Sequence, residues 1–255
     1  MDTIKINKGN SLMVAHASLQ GLEAPNTLAG VIAAANRSYW GIESDIRITK
    51  DKEFILVHND NLLETAGVDM KVSEATLAEL QQYPIYDRFF FYGMEEYGLK
   101  APEGITRSDL RVATTEEYIR ICKKYGKIAV AEIKDLLTAE EVTKLLDIVR
   151  KLDYLDGVIF ISFQWENLAE IRRQEPGQTV QFLTGDCHDF TDAFLDKVAA
   201  EGFDLDIHVF TVTKELVDRI HARGIKLNVW TVDWQDRAAN FVEWGVDYIT
   251  SNIFE

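Results

Sequence analysis

Glu43 and Asp45 stand two residues apart in GIESDIRITKDKEFILVHND, residues 41–60. The alternation around them is that of a strand, where side chains two apart point to the same face. Two carboxylates desolvated together repel each other by several kcal/mol unless a cation lies between them. Hard oxygen donors of this kind suit Mg²⁺ or Ca²⁺. After a short polar turn at residues 50–53 the chain returns with His58. A histidine beside such a pair is what acid–base chemistry on a charged oxygen requires. A half-exposed strand with its acids facing water would look the same in isolation, so the neighbouring segments decide.

Upstream, SLMVAHA is a short apolar run that ends in His16; downstream, KIAVAEIKD ends in Glu132 and Lys134. Three strands thus each finish on titratable residues. In barrels of parallel strands ringed by helices, strand C-terminal ends form one face, and that face carries the active site.

The elements that must position these residues alternate along the chain. Strand patterns cover residues 12–16, 39–47, 54–58, 128–134, 158–163, 180–184, 203–207, 227–232 and 248–251. Helix patterns cover 27–37, 73–81, 115–125, 139–152, 165–174, 193–201, 214–223 and 234–244. Thr114 or Thr115, Thr138 and Asp233 precede helices as N-caps, and Gly126, Gly224 and Gly245 follow them. Such alternation implies a parallel sheet. Nine strands is one too many for an (β/α)₈ TIM barrel, and the surplus can be located. The turn at 50–53 is too short for a parallel crossover, so 54–58 runs antiparallel to its predecessor as a rim hairpin. That return arm lowers His58 onto the carboxylates, and eight parallel strands remain.

At 255 residues the chain suits one barrel domain, and 47% hydrophobic residues suffice for its core. The net charge of −15 argues against binding nucleic acid or an anionic membrane through a general positive field. Cys122 and Cys187 have no metal-like spacing, and Cys122 reads as a buried small hydrophobe in a reducing compartment. The first residues carry no basic-then-apolar signal pattern and no run reaches membrane-spanning length, which points to a cytoplasmic location without membrane insertion. Residues 59–108 form a connection too long for an ordinary loop, with the aromatic-rich stretch YPIYDRFFFYGMEEYGLKAPEG in its middle. It reads either as a satellite core or as a lid over the active face.

Taken in order, these motifs resemble the glycerophosphodiester phosphodiesterase family over nearly the whole chain. The family opens on a His-Arg-Gly strand end and a Pro-Glu-Asn-Thr helix start, matched by AHA and APNTLAG. Its Glu-x-Asp strand, Thr-x-Asp turn and His-Asp pair are matched by GIESDIRITKD and VHND, followed by Glu132-Ile133-Lys134, Ser162-Phe163, NVWTVD and GVDYITSN. The resemblance implies a (β/α)₈ barrel that cleaves glycerol phosphodiesters to an alcohol and glycerol 3-phosphate. It makes Glu43, Asp45 and Glu132 ligands of one divalent cation and His16 and His58 the general acid and base. Lys134 would touch the phosphate, and Phe163 and Trp230 would line the glycerol side. Two positions depart from the pattern: Ala17 replaces the family arginine, and Pro25 the glutamate. Their opposite charges point to joint deletion of a pair, since orphaning one member costs more than losing both.

The remaining histidines are expected outside the chemistry. His221 falls on a helix face toward solvent, His188 has no evident partner, and His208 sits near a strand end with a minor claim on the pocket. Trp230 could equally be barrel core, and Asn252 and Asp60 could supply supporting hydrogen bonds. Two rival functions remain: a lysophospholipid or sphingolipid head-group phosphodiesterase on the same scaffold, which should expose an apolar groove beside the metal, and a non-catalytic phosphodiester-binding barrel.

Overall fold

The computed structural model describes residues 2–87, 105–107, 109–185 and 189–255. The strands are β1 (Leu12–Ala15), β2 (Gly41–Ile48), β3 (Phe54–Leu56), β4 (Ile85–Asp87), β5 (Ile105–Arg107), β6 (Ile128–Ile133), β7 (Val158–Ser162), β8 (Val180–Thr184), β9 (Asp204–His208), β10 (Leu227–Trp230) and β11 (Tyr248–Ser251). The helices are α1 (Leu28–Ala35), α2 (Leu63–Ala66), α3 (Leu77–Leu80), α4 (Thr115–Tyr125), α5 (Ala139–Lys151), α6 (Trp165–Gln174), α7 (Asp192–Glu201), α8 (Lys214–His221) and α9 (Gln235–Trp244).

Parallel pairing runs β1-β11-β10-β9-β8-β7-β6-β2, and β1 also pairs with β2, which closes an eight-stranded barrel. The expected surplus strand is β3, antiparallel to β2 with Ile46 opposite Leu56 and Ile48 opposite Phe54. Helix boundaries follow local chemistry. Thr114, Thr138 and Thr76 each close a capping box with a glutamate three residues on, which satisfies two orphan amide donors at once. Gly126 and Gly245 end α4 and α9 in the left-handed conformation. Asp233 is not the expected cap of α9: Trp234 holds that position without a side-chain bond, because the Asp233 carboxylate is engaged with Asn252 instead.

Outward strand faces meet the helices in the main core, while Val14, Val130, Ile159, Ile161, Leu183 and Tyr248 fill the barrel lumen. Gln181, Asp206, Asn228 and Thr250 are buried among them, so the lumen is packed with both apolar and polar side chains. Ile55, Val57, Leu62, Ala66, Val72, Ala75, Leu80 and Val112 form a separate small core. Residues 62–80 of the 59–108 connection supply most of this small core. Most of the aromatic stretch on which the lid reading falls lies outside the described residues, as do Cys187 and His188. Cys122 is buried in the main core, as expected. Among the described residues, no helix is long and apolar enough to cross a membrane.

Candidate active site

Glu43, Asp45 and Glu132 converge at the top of the lumen. Register places Asp45 directly beside Glu132 across the β2–β6 pair. All three are buried, and their nearest ligand oxygens lie within 4.8 Å of one another. Each carboxylate is held from a different side. The Ala17 amide donates to Glu43 Oε2 at 2.7 Å, from a turn in which Ala17, Ser18 and Leu19 all have positive φ. Such backbone is costly for residues with a Cβ, and here it aims an amide at a carboxylate. Asn26 clasps Asp45 twice, its Nδ2 donating to Oδ2 at 2.7 Å while its Oδ1 accepts from the Asp45 amide at 2.9 Å.

The three acids differ in proton affinity for physical reasons. Burial and the neighbouring Asp45 and Glu132 charges push Glu43 well above the usual carboxylate range. Burial and Asp45 raise Glu132 to about 7. Burial acts upward on Asp45 too, but Lys134, His58 and Asn26 outweigh it and bring it to about 2. Lys134 Nζ lies 2.9 Å from Asp45 and 2.7 Å from Glu132, and these partners raise its pKa against the opposing effect of burial. Lys134 pairs with Asp45 and Glu132 and not with Glu43, so one ammonium faces three buried acids. Glu43 Oε1 is buried without a hydrogen-bond partner among the described residues. This donor set fits a hard divalent cation.

His16, at the end of β1, sits 4.0 Å from Glu43 through Nε2. Its Nδ1 lies 2.6 Å from Asn252 Oδ1. The Asn252 amide nitrogens, side-chain and backbone, both donate to the Asp233 carboxylate, so its oxygen must face His16. An accepting oxygen requires a proton on Nδ1, which leaves Nε2 as the bare nitrogen facing Glu43. Gln20 adds a 2.7 Å bond to the same oxygen. Desolvation lowers the His16 pKa against the upward pull of Asp45, Asn252 and Asp233. Gly21 permits this packing: a Cβ there would stand 2.2 Å from the Asn252 carbonyl oxygen.

His58 lies exposed at the rim, two residues beyond β3. Its arm is fixed by Arg47, whose Nε donates to the His58 carbonyl at 2.9 Å while its Nη1 pairs with Asp135. His58 Nδ1 lies 2.8 Å from Asn59 Oδ1. On the far side of the mouth Phe163 meets Trp230 edge to face at 5.9 Å, and Trp230 meets His208 at 5.1 Å.

The model of the glycerophosphoryl diester phosphodiesterase family matches residues 16–254. This chain belongs to that family. A glycerophosphodiester phosphodiesterase from Caldanaerobacter subterraneus is 23% identical over 242 residues, covering 95% of this chain and 94% of the relative. One from Bacillus subtilis is 27% identical over 254 residues, covering 94% and 83%. The solved phosphodiesterase of Oleispira antarctica, in complex with the product sn-glycerol-3-phosphate, superposes with a TM-score of 0.79 at 21% identity, covering 95% of this chain and 93% of that one. The family barrel is thus the fold of this chain.

Some residues carry roles that the sequence did not reveal. Asn26 was visible only as part of a motif, although an asparagine just before a helix tolerates the positive φ of 56° that its clasp requires. His208 does reach the mouth, against the lesser expectation for it. His221 does not simply face solvent, since its Nε2 lies 2.9 Å from Asp247. Asp60 binds the Ser73 amide and hydroxyl rather than the site. At positions 17 and 25, Asn26 N donates to the Ala17 carbonyl at 3.0 Å, so the two departures are brought side by side.

Proposed function

We propose that this barrel cleaves glycerol phosphodiesters to an alcohol and glycerol 3-phosphate, using one Mg²⁺ or Ca²⁺ and two histidines. As a family member the chain is a phosphoric diester hydrolase of the glycerophosphodiester class. The observation that carries the metal assignment is the buried triad with its unpartnered Glu43 oxygen. Glu43, Asp45 and Glu132 would hold the ion, which when bound would offset the charge developing on the non-bridging phosphate oxygens.

The protein's own groups supply the proton transfers. His16, with Nδ1–H tied to Asn252, presents Nε2 as the base that removes the proton of the substrate's neighbouring glycerol hydroxyl. The hydroxyl oxygen attacks phosphorus and a cyclic phosphodiester forms. His58, exposed to water at the rim, protonates the departing alkoxide. The cyclic ester then opens to water with the histidine roles reversed. Lys134, with no arginine at position 17 to assist it, contributes the cationic side chain to the phosphate. Phe163 and Trp230 flank the glycerol, and the described part of the 59–108 insertion leaves directly from the arm that carries His58. A binding barrel without turnover would have no use for a histidine with one fixed tautomer.

Turnover of a panel of glycerophosphodiesters, with and without chelator and with Mg²⁺, Ca²⁺ or Mn²⁺ restored, tests this reading. Release of glycerol 3-phosphate that chelation abolishes is expected. Full activity in chelator would remove the metal, and no release from any diester would remove the function.

A further inference from the structure

A cavity opens at the other end of the barrel, where β6, β7 and β9 begin. Its volume of about 560 Å³ is that of a small-molecule site. One wall is aromatic: Trp40 stacks on Tyr248 with ring centroids 5.0 Å apart. Two acceptors share the lining. Gln178 is 5% exposed, and its Nε2 donates to the Val158 carbonyl, which fixes the orientation of the amide. Its Oε1 accepts no hydrogen bond among the described residues. Asp204 Oδ1 accepts from the Lys226 amide at 2.9 Å, while Oδ2 accepts nothing among the described residues. Arg172 does not fill this gap, since its Nη1 donates to the Gln178 carbonyl. Lys226 stands at the exposed edge, with Nζ 3.4 Å from Tyr248 Oη and no ion pair among the described residues. Of the other two acids in the lining, Glu175 is paired with Arg150 and Asp156 is exposed.

We propose that this cavity binds a free α-amino acid with a large apolar side chain. Its ammonium lies between Gln178 Oε1 and Asp204 Oδ2, its side chain on the Trp40–Tyr248 wall, and its carboxylate at the edge beside Lys226. A primary ammonium brings N–H donors for both acceptors. A quaternary amine brings none, and a bare metal ion would leave the aromatic wall and most of the volume unfilled. A half-buried carboxylate with an idle oxygen gains most from a charged donor, because such hydrogen bonds exceed neutral ones in strength. The cavity and the carboxylate triad lie at opposite ends of the strands, so this inference stands apart from the chemistry proposed above.

Titration calorimetry at neutral pH, with L-phenylalanine as the probe, tests this. Saturable one-to-one binding is expected, unchanged by Mg²⁺ and by glycerol 3-phosphate. Phenylpropanoate, which lacks the ammonium, should bind at least about tenfold more weakly, the contribution of a charge-assisted hydrogen bond. The N-trimethyl derivative, which lacks the N–H donors, should lose about as much. Phenethylamine, which lacks the carboxylate, should lose only about threefold, because an exposed ion pair contributes little. Asp204→Asn keeps an acceptor for the Lys226 amide and should bring phenylalanine down to the affinity of phenylpropanoate. Lys226→Met should make phenylalanine and phenethylamine equal, and since that side chain is exposed, the variant keeps its fold even where Asp204→Asn does not. Equal affinity for phenylalanine and phenylpropanoate overturns the proposal, as does binding that Asp204→Asn leaves intact. Displacement by glycerol 3-phosphate would put the amino acid in the other site and overturn it too. So would the absence of saturable binding by phenylalanine, leucine and tryptophan alike.

Discussion

Asn252 Oδ1 lies 2.6 Å from His16 Nδ1, across 236 residues of sequence, at the seam where β1 and β11 close the barrel. The side-chain amide cannot flip without losing its Nδ2–H bond to Asp233 and turning its oxygen against that carboxylate. Asn252 therefore chooses which imidazole nitrogen is basic. Asn252→Ala should lower kcat at least about tenfold while metal affinity changes little, since it acts on orientation and not on the ligands. Nitrogen-15 spectra of labelled histidine should show the single His16 tautomer giving way to a mixture. An unchanged tautomer would refute this role.

His16→Ala and His58→Ala should each reduce kcat by about a hundredfold or more, the usual contribution of a positioned acid or base. Metal binding, measured calorimetrically, should survive both. Wild-type turnover in either variant would show that histidine to be structural.

Metal-free protein carries mutual repulsion among Glu43, Asp45 and Glu132. Glu43→Gln should raise the Tm of the metal-free protein and shrink the rise produced by added Mg²⁺ or Ca²⁺. For wild type, ligand at about a hundred times Kd stabilises by about 2.7 kcal/mol. Equal metal-induced shifts in both proteins would dissociate Glu43 from the ion.

With Ala17 in place of arginine, Lys134→Ala should be unusually damaging to kcat/KM. Ala17→Arg alone should help little, because Pro25 supplies no opposing carboxylate; Ala17→Arg with Pro25→Glu should do better. The double-mutant cycle should read a coupling of about 0.5–3 kcal/mol, as for contacting residues. Additive effects would make the two departures independent.

At the opposite end of the barrel, Asp204 lines a cavity of about 560 Å³ with Trp40, Lys226 and Tyr248. Burial raises its pKa to about 6 from 3.8. Because the folded state holds this proton more tightly than the unfolded, the stabilisation is fully present below about pH 4 and is lost as pH rises through about 6. A shift of this size is worth roughly 3 kcal/mol. Asp204→Asn keeps an acceptor for the Lys226 amide and should remove that decline, visible in denaturant midpoints between pH 4 and 7. The same slope in both proteins would place the decline elsewhere.

The alternation of strands and helices was legible because barrel strands carry continuous apolar runs and helices carry capping threonines, as at Thr114 and Thr138. The hairpin was legible because a short turn forbids a parallel return. The three carboxylates and their neighbour His16 were legible from strand-end position. The Asp233–Asn252–His16 chain was not, because its members meet only when the last strand closes on the first, and Asp233 before a helix mimics a cap. Asn26 and His208 were obscured for a related reason: their partners, Asp45 and Trp230, come from other strands.

The arm bearing His58 lies between two hydrophobic bodies, with Phe54 and Leu56 committed to the main core and Ile55 and Val57 to the small one. The small core is built largely from residues 62–80 and 112. The segment after His58 is thus no detachable ornament: any chimera that exchanges residues 62–80 also exchanges the footing of His58. Graft boundaries placed at the hairpin would cut through one packed unit.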